Sequence, residues 1–193
     1  NAMVGMYQAR RARETEDQAV AATEAFVSFL RAYVEDRRAA PADDLITHLI
    51  AAEMAGEKLS TDELITTCIL LLNAGHEATV HTLGNGVKAL IDHGYGPDVL
   101  TRPRVEATVE EILRFDPPLH LFTRWAYEDI ELSGQRFRRG DEVGCLLAAA
   151  NRDPRHWDRA DDFDITRSAS GHVGFGFGIH QCLGQMVARL EAE

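Results

Sequence analysis

The sequence predicts a mostly α-helical domain with small β-hairpins toward its C-terminal end. Three observations carry that prediction. Apolar residues recur at three- and four-residue intervals over much of residues 14–115, the spacing that keeps one face of a helix dry. Asp116-Pro117-Pro118 then breaks the period, because proline cannot continue a helical hydrogen-bond ladder, and short β-prone runs follow. The composition is that of a chain with a core, at 45% hydrophobic, 26% charged and 7% aromatic residues, and 193 residues is the length of one domain.

Element by element, Asn1-Ala2 ahead of Met3 reads as an expression scar, leaving residues 3–193 as a single domain. The first helix, Glu14 to Arg38, carries Val20, Phe26, Phe29, Leu30, Tyr33 and Val34 as its apolar stripe and ends before Pro41. A second, with Leu45, Ile46, Leu49, Ile50 and Met54, stops near Gly56. Ser60 followed by Glu63 forms a capping box that opens a long helix from Thr61 to about His93, closed by Gly94. Gly75, Gly84 and Gly86 lie inside it, each costing up to about 1 kcal/mol relative to Ala, so the close approach of another body is expected there. Pro103 to Phe115 is a further helix, with Val105, Val109, Ile112 and Leu113 facing inward. Phe122–Tyr127, Ile130–Leu132, Gln135–Phe137 and Val143–Leu147 are short strands of small hairpins. Residues 151–181 form a long irregular connection, which in a compact domain is usually functional, and a last helix begins around Leu183.

Charge and cysteine count narrow the function. Twenty Lys and Arg against 31 Asp and Glu give a net charge of −11, the wrong sign for a phosphate backbone, so nucleic acid is not an expected partner. The longest strongly apolar run, Cys68 to Leu72, is far short of the roughly 20 residues that cross a bilayer, and no signal-peptide core is visible, so the expected location is the cytoplasm, without membrane. Cys68, Cys145 and Cys182 are odd in number and lack CxxC spacing, which argues against a disulfide framework or a zinc ribbon. Cys68 and Cys145, inside apolar runs, read as small buried hydrophobes.

The sharpest local feature is Phe175-Gly176-Phe177-Gly178-Ile179-His180-Gln181-Cys182-Leu183-Gly184. A cysteine after a loop of small residues and at the mouth of a helix has backbone N–H groups and the positive dipole end nearby, which favour a thiolate and make a place to hold an anionic sulfur ligand. The bland alternative is another buried cysteine. A phosphate-binding reading fails on spacing, since Gly174, Gly176 and Gly178 alternate, Ile179 stands where GxGxxG needs glycine, and no GK[ST] follows. His172, His180 and Cys182 also allow a zinc site that lacks an assigned fourth ligand. Upstream, Glu111 and Arg114 share one helical face at i and i+3 and can pair.

On these residues the sequence resembles the cytochrome P-450 superfamily, in its soluble bacterial class. FGFGIHQCLG is similar to the family's haem-ligating loop at Phe175, Gly176, Gly178, Cys182 and Gly184; Glu111-Ile112-Leu113-Arg114 resembles its ExxR helix; and Phe163-Asp164-Ile165-Thr166-Arg167 resembles the segment whose arginine completes that ion-pair network. The fold implied is the C-terminal portion of the cytochrome P-450 fold. The resemblance makes Cys182 the axial ligand of haem iron and gives Glu111, Arg114 and Arg167 a structural role. It also places Arg124 and His172 on haem propionates, as charge-assisted donors. Ala74-Gly75-His76-Glu77-Ala78-Thr79 resembles the family's oxygen-binding kink, where Gly75 lets the backbone approach haem, Glu77 relays protons and a threonine steadies bound dioxygen. The usual register sets that threonine directly after the acid; here Ala78 stands there and Thr79 lies about 100° further round.

The resemblance spans residues 14–193, the C-terminal half of a family member. For the intact protein it implies a haem-thiolate monooxygenase that uses haem b to oxidise a small organic substrate, with electrons from a ferredoxin-like or flavin partner. For this chain alone it implies weak or absent haem binding, inactivity and self-association. The rival reading is a non-catalytic helical piece that binds no haem and self-associates through its exposed apolar faces.

Overall fold

The computed structural model describes residues 2–7, 12–54 and 59–193; Asn1 of the expected scar and the expected helix stop near Gly56 lie outside the described residues. The chain forms two compact units, Asn1–His76 and Glu77–Glu193. It is mostly helical, with two small antiparallel sheets. Among the described residues no helix is long and apolar enough to cross a membrane.

The first unit holds a 3-10 turn at Met3–Tyr7, α1 (Arg13–Ala39), α2 (Leu45–Met54) and the start of α3 (Thr61–Asp92). Its core is Leu30 and Val34 of α1, Ile50 of α2, and Leu64, Ile65 and Cys68 of α3, with Phe26, Ile46 and Leu49 packed against it. The expected stripe of α1 is therefore only partly buried: Val20 and Phe29 are exposed, Phe29 instead stacking between Phe26 and Tyr33 on the helix surface. The capping box at α3 forms as its spacing demands. The Ser60 N–H donates to Glu63 Oε2 at 2.7 Å and the Glu63 N–H returns to Ser60 Oγ at 3.3 Å, satisfying two donors that a helix start leaves over. Arg38 pairs with Glu53, which also accepts from Thr61 Oγ1 at 2.7 Å, tying all three helices.

In the second unit α3 continues to Asp92 and ends in a Schellman pair, with Gly94 N–H donating to Ile91 O and Tyr95 N–H to Leu90 O. A 3-10 turn at Pro97–Val99 leads to α4 (Arg102–Phe115), which starts with Pro103 in its first turn, where the missing N–H costs nothing. Ala89 and Leu90 of α3, Val99, Ile112 of α4, Phe163 and Ile165 make one core; Val105, Val109 and Leu113, with Phe175 and Ala192, make another on a different side of α4. Gly86 shows why a glycine interrupts α3: a Cβ there would lie 2.8 Å from Ile112 Cδ1. At Gly84, by contrast, an added Cβ would meet nothing within 4 Å, so among the described residues the expected close approach is seen at Gly86 and not at Gly84.

Four strands follow: β1 (Leu121–Trp125), β2 (Ile130–Leu132), β3 (Gln135–Phe137) and β4 (Glu142–Leu146). Only β2 and β3 form a hairpin of neighbours; β1 pairs with β4 around them, Phe122 opposite Cys145 and Arg124 opposite Val143. Leu147, expected at the end of a strand, instead begins the short α5 (Leu147–Ala150). Cys145 corrects another expectation: it is exposed, because the two-stranded sheet that carries it is exposed along β1 and most of β4, whereas Cys68 is buried as expected. The long connection from Asn151 is irregular apart from a 3-10 turn at Gly178–His180, and α6 (Gln185–Ala192) closes the chain.

Candidate functional site

Helix α4 organises the site, beginning with two charged side chains of zero exposure. Arg114 donates through Nε and Nη2 to the two oxygens of Glu111, at 2.7 and 2.8 Å. Its remaining N–H groups reach the carbonyls of Asn151 and Ala160 from Nη1 and Asp162 from Nη2, all at 2.9 Å. Every donor of the guanidinium is used, the condition under which a buried ion pair is tolerable. Glu111 also accepts the Asp164 N–H at 2.8 Å and faces Arg167 Nε at 3.5 Å, while the Arg167 Nη atoms donate to the carbonyls of Asp158 and Arg159. Spacing alone foresees the Glu111–Arg114 pair; its three loop carbonyls are invisible to it.

Asn151, which in the sequence only opens the irregular connection, is a buried bridge. Its Nδ2 donates to Leu113 O at 3.3 Å, its Oδ1 accepts the Val173 N–H at 2.7 Å, and its carbonyl takes the Arg114 bond. One side chain thus joins the end of α4 to the start of the glycine loop. Arg152 beside it donates twice to Phe115 O and lies 3.8 Å over the Phe115 ring.

The loop then runs close to α4: a Cβ at Gly174 would sit 2.8 Å from Leu113 O. Gly176 and Gly178 have φ of +73° and +70°, the left-handed region in which only glycine is unstrained, and they reverse the chain so that the Cys182 N–H donates to Phe175 O at 2.8 Å. This closed turn presents Cys182 exposed, three residues ahead of α6 and two before Gly184, which caps that helix. Phe177, Ile179 and Leu183 are 86, 97 and 96% exposed around it. The thiol is not buried, against the bland alternative for this cysteine.

His172 lies at the entrance of the glycine loop, facing α4. Its side chain is 3% exposed, its Nδ1 accepts the Gly174 N–H at 3.0 Å, and its Nε2 lies 3.2 Å from Glu110 Oε2, so the bonding pattern sets the ring proton on Nε2. Both ring nitrogens are engaged inside the protein. Glu110 in turn accepts from Arg189 Nε of α6 at 2.5 Å. Burial opposes its charge, but hydrogen bonds from His172 and Arg189 and the favourable electrostatics of both groups outweigh burial and hold its pKa at about 2. Among the described residues no three His, Cys, Asp or Glu side chains gather as a metal cluster, so the zinc alternative gains no ligand set.

On α3 the helix is unbroken through Ala74–Thr79. Glu77 lies 3.6 Å from His81 Nε2, Ala78 is half-buried, and Thr79 Oγ1 donates to Glu191 of α6 at 3.2 Å. Arg124, on exposed β1, donates to its neighbour's Thr123 carbonyl at 2.8 Å. The structure therefore joins Glu111, Arg114, Arg167, Phe175, the loop glycines and Cys182 into one assembly, and it adds Glu110, Asn151 and Arg189, which the sequence reading missed.

The comparisons with known proteins agree with this architecture. The family profile described as cytochrome P-450 matches residues 97–193. Polyketide biosynthesis cytochrome P-450 PksS of Bacillus subtilis is 41% identical over 99% of this chain and 47% of its own length; the biotin biosynthesis cytochrome P-450 of the same organism is 40% identical over 86% and 42%. The crystal structure of CalO2 superposes with a TM-score of 0.91 at 35% identity, covering 99% of this chain and 48% of that one. P450BioI, solved in complex with an acyl carrier protein ligated to hexadec-9Z-enoic acid, gives 0.84 at 38% identity over 99% and 50%. The chain spans about half the length of these relatives. A clamped glycine turn presenting one cysteine, on a helical frame shared with these proteins, places the chain in the cytochrome P-450 family.

Proposed function

We propose that this chain is the thiolate-bearing part of a haem monooxygenase that works in the cytoplasm on a small organic substrate. The observation that carries the reading is Cys182: an exposed thiol on a closed glycine turn, rimmed by three almost fully exposed apolar side chains and backed by a buried ion-pair network. A soft sulfur donor on a turn with exposed apolar side chains suits a flat, apolar, iron-bearing macrocycle better than a hydrated ion. The residues present fit haem b. When bound, haem supplies the activation of dioxygen, and a thiolate ligand pushes electron density that favours O–O cleavage.

The chain's own residues divide the remaining work. Cys182 would hold the metal; the hydrogen bond from its N–H to Phe175 O fixes the turn that aims it. Glu111, Arg114, Arg167 and Asn151 keep that turn in place without touching the reacting atoms. Glu77 is the acid that moves protons on the helix side, with His81 within reach to hold it. Ala78 has no hydroxyl to offer, and Thr79 is directed at Glu191. Arg124 is exposed and can take a propionate as a charge-assisted acceptor. His172 cannot while it serves Glu110, whereas His180, exposed two residues before Cys182, is the loop imidazole open to an anionic group. Electrons would come from a ferredoxin-like or flavin donor.

The test is the ferrous–carbon monoxide spectrum of the full-length protein carrying this sequence. Wild type, Cys68→Ala and Cys145→Ala should give the red-shifted Soret band of a thiolate complex, and Cys182→Ala should lose it. A thiolate spectrum retained in Cys182→Ala overturns the assignment. A second reading, a helical piece that binds no haem and self-associates, draws on the exposed Leu70, Leu72, Val87, Ile91 and Leu190. A colourless full-length protein that takes up no added haemin would favour it.

A further inference from the structure

We infer that Glu110 is a positioning residue which, by bridging His172 and Arg189, holds the Cys182 turn from a different side of α4 than the Glu111 network. The inference rests on the reading of Cys182 as the ligand, but its geometry is independent of haem.

Neighbouring positions on a helix point about 100° apart, so Glu110 and Glu111 cannot serve the same partner. Glu111 faces the segment of Asn151–Arg167 that leads into the loop. Glu110 faces the loop itself and the helix that follows it. Its Oε2 meets His172 Nε2 at 3.2 Å, at the entrance of the turn; its Oε1 meets Arg189 Nε at 2.5 Å, one helix beyond its exit. Arg189 is further ordered by Gln185 Oε1 at 3.0 Å and by lying 4.6 Å over the ring of Phe175, whose carbonyl accepts the Cys182 N–H. His172 completes the circuit, since the nitrogen facing Gly174 can accept that N–H only while the proton sits on the nitrogen facing Glu110. One carboxylate therefore sets a tautomer, and the tautomer sets the first bond of the turn. Glu106, which borders the same cleft beside Arg189, has no such link to the loop and serves as the control.

Amide hydrogen exchange in the full-length protein tests this without relying on turnover. Glu110→Gln leaves a neutral side chain whose single acceptor oxygen cannot satisfy both partners. Exchange of the peptide covering residues 173–182 is expected to rise at least tenfold, while peptides of β1 to β4 and the Glu106→Gln control stay at wild-type rates. Arg189→Gln should accelerate the same peptide, and the double variant should be no faster than Glu110→Gln alone, because both remove one circuit. Unchanged exchange in the loop, a uniform rise across the protein, or additive effects in the double variant would each overturn the inference. If Glu110→Gln does not fold, Arg189→Gln decides alone, its loop exchange either rising selectively or not. Should the full-length protein bind no haem, the reading of Cys182 fails while the exchange pattern still decides the role of Glu110.

Discussion

Two stretches of the second unit obey opposite rules. Around Arg114 every polar atom of the guanidinium is buried and paired, and the groups it holds come from four separate points of the chain. Around Cys182 the thiol and its apolar neighbours face outward. Neither stretch makes sense alone: a buried network of that density is a poor source of net stability, and an exposed apolar rim is a liability. Together they describe a rigid base and an open presenting edge, with rigidity concentrated where no chemistry happens.

The contrast is sharpest under truncation of the base. Glu111→Ala strands the fully buried Arg114 and the largely buried Arg167 and should cost roughly 3–5 kcal/mol in urea unfolding, whereas Cys182→Ala should leave the urea midpoint of the haem-free protein nearly unchanged. Equal losses would erase the distinction between base and edge. Glycine substitutions probe the same boundary at smaller scale. Gly174→Ala must push the loop off the Leu113 carbonyl and should cost about 1–3 kcal/mol, as overpacking does. Gly178→Ala meets open space and pays only for its φ of +70°, about 1–2 kcal/mol.

Acid titration reaches the join between the two regions. With its folded pKa near 2 against an ordinary 4.5, Glu110 stabilises the fold fully above the ordinary value and loses that contribution as pH falls through about 2. After allowance for its partial exposure the contribution is about 2 kcal/mol, and Glu110→Gln should flatten stability against pH between about 4.5 and 2 by that amount. The smallest expected effect on stability belongs to Ala78→Thr, at a half-buried position on α3 outside both stretches. In the full-length enzyme it should raise product formed per reduced nicotinamide consumed and lower peroxide, while Thr79→Ala changes little. A collapse of coupling in Thr79→Ala with no gain in Ala78→Thr would assign the role to Thr79.

Legibility in the sequence followed the range of the interaction. The capping box of Ser60 and Glu63, the Glu111–Arg114 pair and the glycine turn are written within a few residues, and spacing rules read them directly. Asn151, Glu110 and Arg189 act across 38, 62 and 79 residues, where no periodicity connects the partners. His172 shows the same dependence, its environment being set by a helix 62 residues away. Cys145 sits in an apolar run, and Val20 and Phe29 on an apolar helix stripe, that predict burial, yet whether such a pattern is covered depends on what packs over it, which local pattern does not encode.

The most direct test of the account is the iron coordination shell of the haem-loaded, full-length protein measured by X-ray absorption. The account predicts one sulfur scatterer in wild type and in Glu110→Gln, and none in Cys182→Ala. A wild-type shell of nitrogen and oxygen alone, or a sulfur that survives Cys182→Ala, would contradict it.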